Sequence, residues 1–155
     1  MSDAVLDARG IVTACPTCQQ KNRLVYDRLG ETTRCGKCRA ALPAVGAPVH
    51  VLADAEFEAL VRTASVPVLV DFWAPWCGPC RSVAPELERV AAAEAGRLIV
   101  AKVNTEDLPA LGERFGIRSI PTMMLFAGGA EFGRDVGAKP AAAIQAFVRQ
   151  ALQQR

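Results

Sequence analysis

The sequence predicts an α/β layer fold, a mixed central sheet with helices on both faces, preceded by a small β-ribbon module. Three observations carry this. From about residue 49, short apolar runs rich in β-branched residues alternate with stretches of helical spacing. The alternation ends in two strand-like runs joined at Gly128-Gly129. The first 42 residues show no helical period, only short alternating pieces around two Cys-x-x-Cys pairs.

In the ribbon, IVTA (11–14) and NRLVY (22–26) read as strands, with a turn over residues 28–31. RAALPAVGAPV (39–49) contains Pro43, Gly46 and Pro48 and lacks either period, so residues 43–48 are expected to link a module at 1–42 to a domain at 49–155. HVL (50–52) is a short strand. Asp54 is placed to cap a helix over 54–64, whose Phe57, Leu60, Val61 and Ala64 fall on one face. VPVLVDFWA (66–74) is a run suited to a buried central strand. Residues 78–95 have helical spacing with Pro85 inside, where a missing N–H and a ring clash should kink the helix. LIVAKVN (98–104) is a second buried strand and EDLPALGERFG (106–116) a short helix. TMMLFAGGAEFGRDV (122–136) is the hairpin, with Met123 and Met124 as strand packing. PAAAIQAFVRQALQ (140–153) is an amphipathic helix with Pro140 at its first position. The crossovers imply parallel strands and the hairpin one antiparallel pair.

Of the 155 residues 51% are apolar and 22% charged, the profile of a globular chain. MSDAVLDARG has early acidic residues and no apolar run of signal-peptide length, and no later stretch approaches the ~18 apolar residues of a membrane span. The expectation is a cytoplasmic protein that engages no membrane. Residues 1–47 hold seven Lys/Arg and four Asp/Glu, formally +3. Four thiolates around a divalent ion would bring that to +1, with one aromatic, Tyr26, so no nucleic-acid partner is expected.

All six cysteines lie in Cys-x-x-Cys pairs. In a reducing compartment paired cysteines serve as metal ligands or redox catalysts rather than as structural disulfides. Cys15 and Cys18 are separated from Cys35 and Cys38 by sixteen residues, the spacing of a zinc ribbon. Two residues between ligands let a turn aim both sulfurs at one ion, with Gly36 expected to ease the second turn and Arg34, Lys37 and Arg39 to offset thiolate charge. Four cysteines close the tetrahedron, so the Zn²⁺ is expected to be structural. Cys77 and Cys80 differ in setting: a buried strand ends just before them and a helix begins. The free N–H groups and positive end of that helix favour a thiolate on Cys77, making it the attacking sulfur, and Cys80 resolves the mixed disulfide. Gly78 allows the turn and Pro79 stiffens it. His50, the single histidine, is assigned no role.

WCGPC, preceded by VDFWAP and followed by VAKVN and GIRSIPTMMLF, resembles the thioredoxin family from about His50 to the C-terminus; the ribbon in front resembles the zinc-containing bacterial thioredoxin-2 type. The resemblance implies a thioredoxin fold and a disulfide reductase working through a redox-active Cys77–Cys80 disulfide. It implies Asp71 as a buried carboxyl assisting proton transfer at Cys80, with Lys102 near it. It implies Pro121 as a cis-proline against the disulfide, and Trp76, Gly78, Pro79, Ile120 and Gly137 around the substrate rim. Trp73 reads as packing beneath the site. Gly-Pro between the cysteines resembles reductases; isomerases and strong oxidants place a histidine there. Protein disulfides and an NADPH-dependent thioredoxin reductase are the expected partners, and a monomer the expected state. The alternative is a zinc-linked redox sensor or holdase.

Overall fold

The computed structural model describes residues 4–154; the first three residues of the ribbon module and Arg155 lie outside them. The chain runs β1 (Val5–Leu6), β2 (Gly10–Ala14), β3 (Lys21–Val25), a 3₁₀ turn (Tyr26–Arg28), β4 (Val49–Val51), α1 (Asp54–Thr63), β5 (Val68–Trp73), α2 (Gly78–Ala93), β6 (Ile99–Asn104), α3 (Pro109–Arg114), β7 (Thr122–Ala127), β8 (Ala130–Val136) and α4 (Ala141–Leu152). The strands form two sheets, β1-β2-β3 and β4-β6-β5-β7-β8. In the second, β4, β6 and β5 are parallel, β7 runs antiparallel to β5, and β8 antiparallel to β7.

β5 sits at the sheet's centre because both its faces are apolar. Val68, Val70 and Phe72 join the core under α1 and α3, where Phe57, Phe115 and Phe126 pack with centroids 5.5–5.7 Å apart. Leu69 joins a second core under α2 and α4 with Val83, Leu87, Ile144 and Val148. The period of two puts Asp71 on Leu69's side, fully buried. The hairpin turns at Gly128 and Gly129, both with positive φ, as the Gly-Gly pair requires.

Several local expectations are corrected. Asp54 does not cap α1: Ala53 is the N-cap, without a side-chain bond, and Asp54 opens the first turn where its charge suits the helix dipole. Glu56 instead reaches back, its Oε1 accepting from the Leu52 N–H at 3.0 Å. Pro140 is the N-cap of α4, not its first helical residue, and Glu86 of α2 accepts from the Ala141 N–H at 3.0 Å. β1 was not foreseen; Asp7 secures it, accepting from the Arg9 and Gly10 N–H groups and from the Arg23 guanidinium, which hold its carboxyl down at about 2.

The ribbon lies against the domain. Leu6, Ile11, Leu24, Tyr26, Leu29 and Leu42 belong to the same buried cluster as Val49, Val51 and Phe57. The Ser65 N–H donates to the Tyr26 carbonyl at 2.9 Å, and Ser65 Oγ accepts from the Gly30 N–H at 3.3 Å. Residues 43–48 have no regular structure, but Val45 packs on the shared core.

Candidate active site and metal centre

β5 ends at Trp73 and α2 starts at Gly78, so the intervening turn sets Cys77 as the helix N-cap. Its Sγ accepts from the Cys80 N–H at 3.2 Å, one of the helix's first unpaired donors. Cys77 and Cys80 are joined as a disulfide, with Cα atoms 5.3 Å apart. Both are nearly buried, at 4% and 3% exposure, so exposure does not separate their roles; the N–H directed at Cys77 does. Ala74, half-buried Trp73 and Ile120 pack around the pair.

Ile120–Pro121 is cis, and the Ile120 carbonyl oxygen lies 3.7 Å from Cys77 Sγ. The Pro121 carbonyl accepts from the Gly137 N–H at 2.8 Å, and Gly137 has φ +102°, a backbone that L side chains rarely adopt. Trp76 is 67% exposed, with its indole N–H donating to Glu106 Oε1 at 2.5 Å. Thus Ile120 packs on the pair, Pro121 and Gly137 are bonded beside it, Gly78 and Pro79 lie between the cysteines, and Trp76 is held by Glu106, which the sequence did not single out.

Asp71 is fully buried, and neither carboxylate oxygen has a hydrogen-bond partner among the described residues. Desolvation pushes its carboxyl up to about 7, with Lys102 pulling the other way. Lys102 stands opposite it in the β5–β6 register, its Nζ 5.0 Å from the centre of the Trp73 ring. His50 is next in that row on β4, at the sheet's edge, and is exposed. Met123 and Met124 are buried strand packing.

The other four cysteines form two similar turns. The Gln19 N–H donates to the Cys15 carbonyl and the Cys15 N–H to Gln20 (both 2.8 Å); the Arg39 N–H donates to Cys35 at 3.1 Å and the Cys35 N–H to Ala40 at 2.8 Å. The residue after each pair, Gln19 and Arg39, takes φ +68°. Gly36 is therefore not where the turn needs conformational freedom; its N–H donates to Asn22 Oδ1 at 2.9 Å. Arg34 donates to the Arg39 carbonyl, while the Lys37 backbone N–H and Asn22 Nδ2 each lie 3.4 Å from Cys35 Sγ.

The four sulfurs all lie within 4.8 Å of one another. Cys15–Cys38 and Cys18–Cys35 are at 3.7 and 3.6 Å. A tetrahedron with Zn–S bonds of ~2.3 Å has sulfur edges of ~3.8 Å, so the cluster fits zinc. Backbone N–H groups, of Cys18 on Cys15 and Cys38 on Cys35, hold the first cysteine of each pair below the usual thiol range, Cys35 at about 6. For Cys38 the Ala40 N–H favours the thiolate, but desolvation and the three other sulfurs outweigh it and push the thiol up to about 11. A divalent ion would offset the charge of four thiolates held this close.

The comparisons agree with both sites. The family model described as Thioredoxin matches residues 48–150, and the one described as Thioredoxin 2, N-terminal, a zinc ribbon, matches 14–40. The chain is 52% identical to Thioredoxin 1 of Nostoc sp. over 87 residues, covering 56% of this chain and 81% of that one. It is 43% identical to the thioredoxin of Haemophilus influenzae over 97 residues, covering 63% and 91%. A solved asparagine-to-glutamine mutant thioredoxin from Halobacterium salinarum superposes with a TM-score of 0.62 at 30% identity, over 70% of this chain and 93% of that one. With a cysteine pair at the head of α2 and a four-cysteine ribbon before the domain, the chain belongs to the thioredoxin family of protein-disulfide oxidoreductases.

Proposed function

We propose that this chain is a cytoplasmic, monomeric dithiol reductant of protein disulfides, recharged by an NADPH-dependent thioredoxin reductase. The observation that carries it is the N-cap position of Cys77, with a backbone N–H on its sulfur. Gly78 and Pro79 add no charge that would hold the thiolate more strongly, which favours the reducing direction. Among the described residues no helix is long and apolar enough to cross a membrane.

In the reduced form, the Cys77 thiolate attacks one sulfur of a substrate disulfide. A Cys77–substrate bond forms and the substrate's other sulfur leaves, taking a proton. Cys80 then gives its proton to the Asp71 carboxylate, and its sulfur attacks Cys77 Sγ. The Cys77–Cys80 disulfide forms and the substrate leaves as a dithiol, two electrons having passed to it. A carboxyl near 7 can both take and return that proton at neutral pH. Lys102 opposes the desolvation that neutralises Asp71, and the rim from Trp76 to Ile120, Pro121 and Gly137 receives the substrate.

Cys15, Cys18, Cys35 and Cys38 would hold zinc as a closed structural site, which supplies cross-linking and no reaction step. The module boundaries follow at 1–42, 43–48 and 49–155. Cys77→Ser is expected to abolish insulin-disulfide reduction, and the reduced protein to show two reactive thiols and one zinc; retained activity, or six reactive thiols without metal, overturns the reading. The sensor alternative rests on Cys38, the one exposed ligand. Peroxide-driven zinc release with no change in binding or reductase rate counts against it.

A further inference from the structure

In the redox domain Asp71 and Thr122 are buried polar side chains, and the exchange steps use just the first. Thr122 opens β7 directly after Pro121 and is 3% exposed. Its Oγ1 donates to the Ser119 carbonyl at 2.5 Å, closing a loop over Ile120 and Pro121. On the other side of that loop the Pro121 carbonyl accepts from Gly137. These two bonds hold the segment from both ends, one made by a side chain and one by the backbone. Between them lies the Ile120 carbonyl, against Cys77 Sγ.

Burying a hydroxyl is unfavourable unless it is bonded, and a valine would fill the same volume in a strand at least as well. Nor does Ser119 require a buried donor, since it is exposed and water can serve its carbonyl. The bond's evident effect is therefore geometric. We propose that Thr122 is a positioning residue, whose hydroxyl fixes the Ser119–Ile120 backbone so that the Ile120 peptide faces Cys77 and the incoming disulfide. This rests on the reductase reading of the site. The bond acts on docking more than on sulfur exchange, because the hydroxyl is directed at the Ser119 carbonyl and not at a sulfur. It also keeps the negative end of the Ile120 carbonyl at Cys77, which disfavours the thiolate.

The test compares Thr122→Val and Thr122→Ser with wild type in insulin-disulfide reduction, together with the pH profile of Cys77 alkylation. Thr122→Val is expected to raise KM about five- to tenfold, the scale of one hydrogen bond, with kcat within about twofold. The alkylation midpoint should move to lower pH, and Thr122→Ser should restore both. If Thr122→Val does not fold, Thr122→Ala against Thr122→Ser makes the same comparison without the methyl group. Unchanged KM and alkylation profile in Thr122→Val, or equal impairment of the Val and Ser variants, overturns the proposal. Wild-type protein that does not reduce insulin overturns the reductase reading instead.

Discussion

Asp71 is the residue where stability and chemistry conflict. Its carboxyl rises from 3.8 in the unfolded chain to about 7 in the fold, so folding favours the protonated form. The native state therefore holds more protons than the unfolded state between those values. Stability falls as pH rises from about 4 to about 7, and the cost is fully present above that, up to ~4 kcal/mol. Asp71→Asn removes the titration but leaves a buried amide with no partner, offsetting roughly 1–3 kcal/mol of the gain. Urea unfolding of the variant should lose the decline that wild type owes to Asp71 between about pH 4 and 7, leaving the opposite, rising contribution of His50, whose pKa burial lowers. Resolution of the mixed disulfide by Cys80 should slow at neutral pH in the same variant. A wild-type midpoint that rises through this range would mean that Asp71 is ionised and satisfied in the fold. Such a carboxyl is legible in sequence because VLV and FW flank it; Glu106 is not, because what marks it is a partner in a distant segment, nor is Thr122, whose bond to Ser119 depends on how the chain turns over Ile120 and Pro121.

At the scale of elements, periodicity located β4 to β8 and all four helices, since each buries one stripe or one face and apolar spacing records that directly. Their ends were less legible, because the groups that satisfy them come from elsewhere. α4 starts after Pro140, which offers no side-chain cap, and its Ala141 N–H is met by Glu86 on α2. Gln145 on α4 likewise donates to Glu94, the C-cap of α2. Glu86→Ala is expected to cost about 1 kcal/mol, the usual loss of a cap, and to lower Tm by about 2–4 °C, while Glu86→Gln retains the acceptor and most of the stability. Equal losses in the two variants would assign the effect to the charge and its pairing with Arg89 instead. The two-residue strand β1 was illegible for a related reason: Asp7 and Arg23 define it, and two residues carry no period.

Across the whole molecule, the sequence separates ribbon and domain by composition, yet the fold joins them through one core. Leu6, Ile11, Leu24, Tyr26 and Leu29 have no other apolar surface to meet, since a module of this size cannot enclose a core alone. Metal held at the four cysteines, as proposed, would order the ribbon, and the ribbon covers the β4 and α1 side of the domain. Stability of the redox domain is then linked to metal at a site that takes no part in exchange. Treating the full chain with a strong chelator should lower the melting transition followed by fluorescence of Trp73 and Trp76, although both lie in the domain. If the shared core contributes even ~2 kcal/mol, the fall is about 4–8 °C. With zinc bound, metal release and tryptophan fluorescence should follow a single transition. Metal loss that leaves the tryptophan transition in place would make the ribbon an independent appendage, its apolar residues packed on the domain without stabilising it.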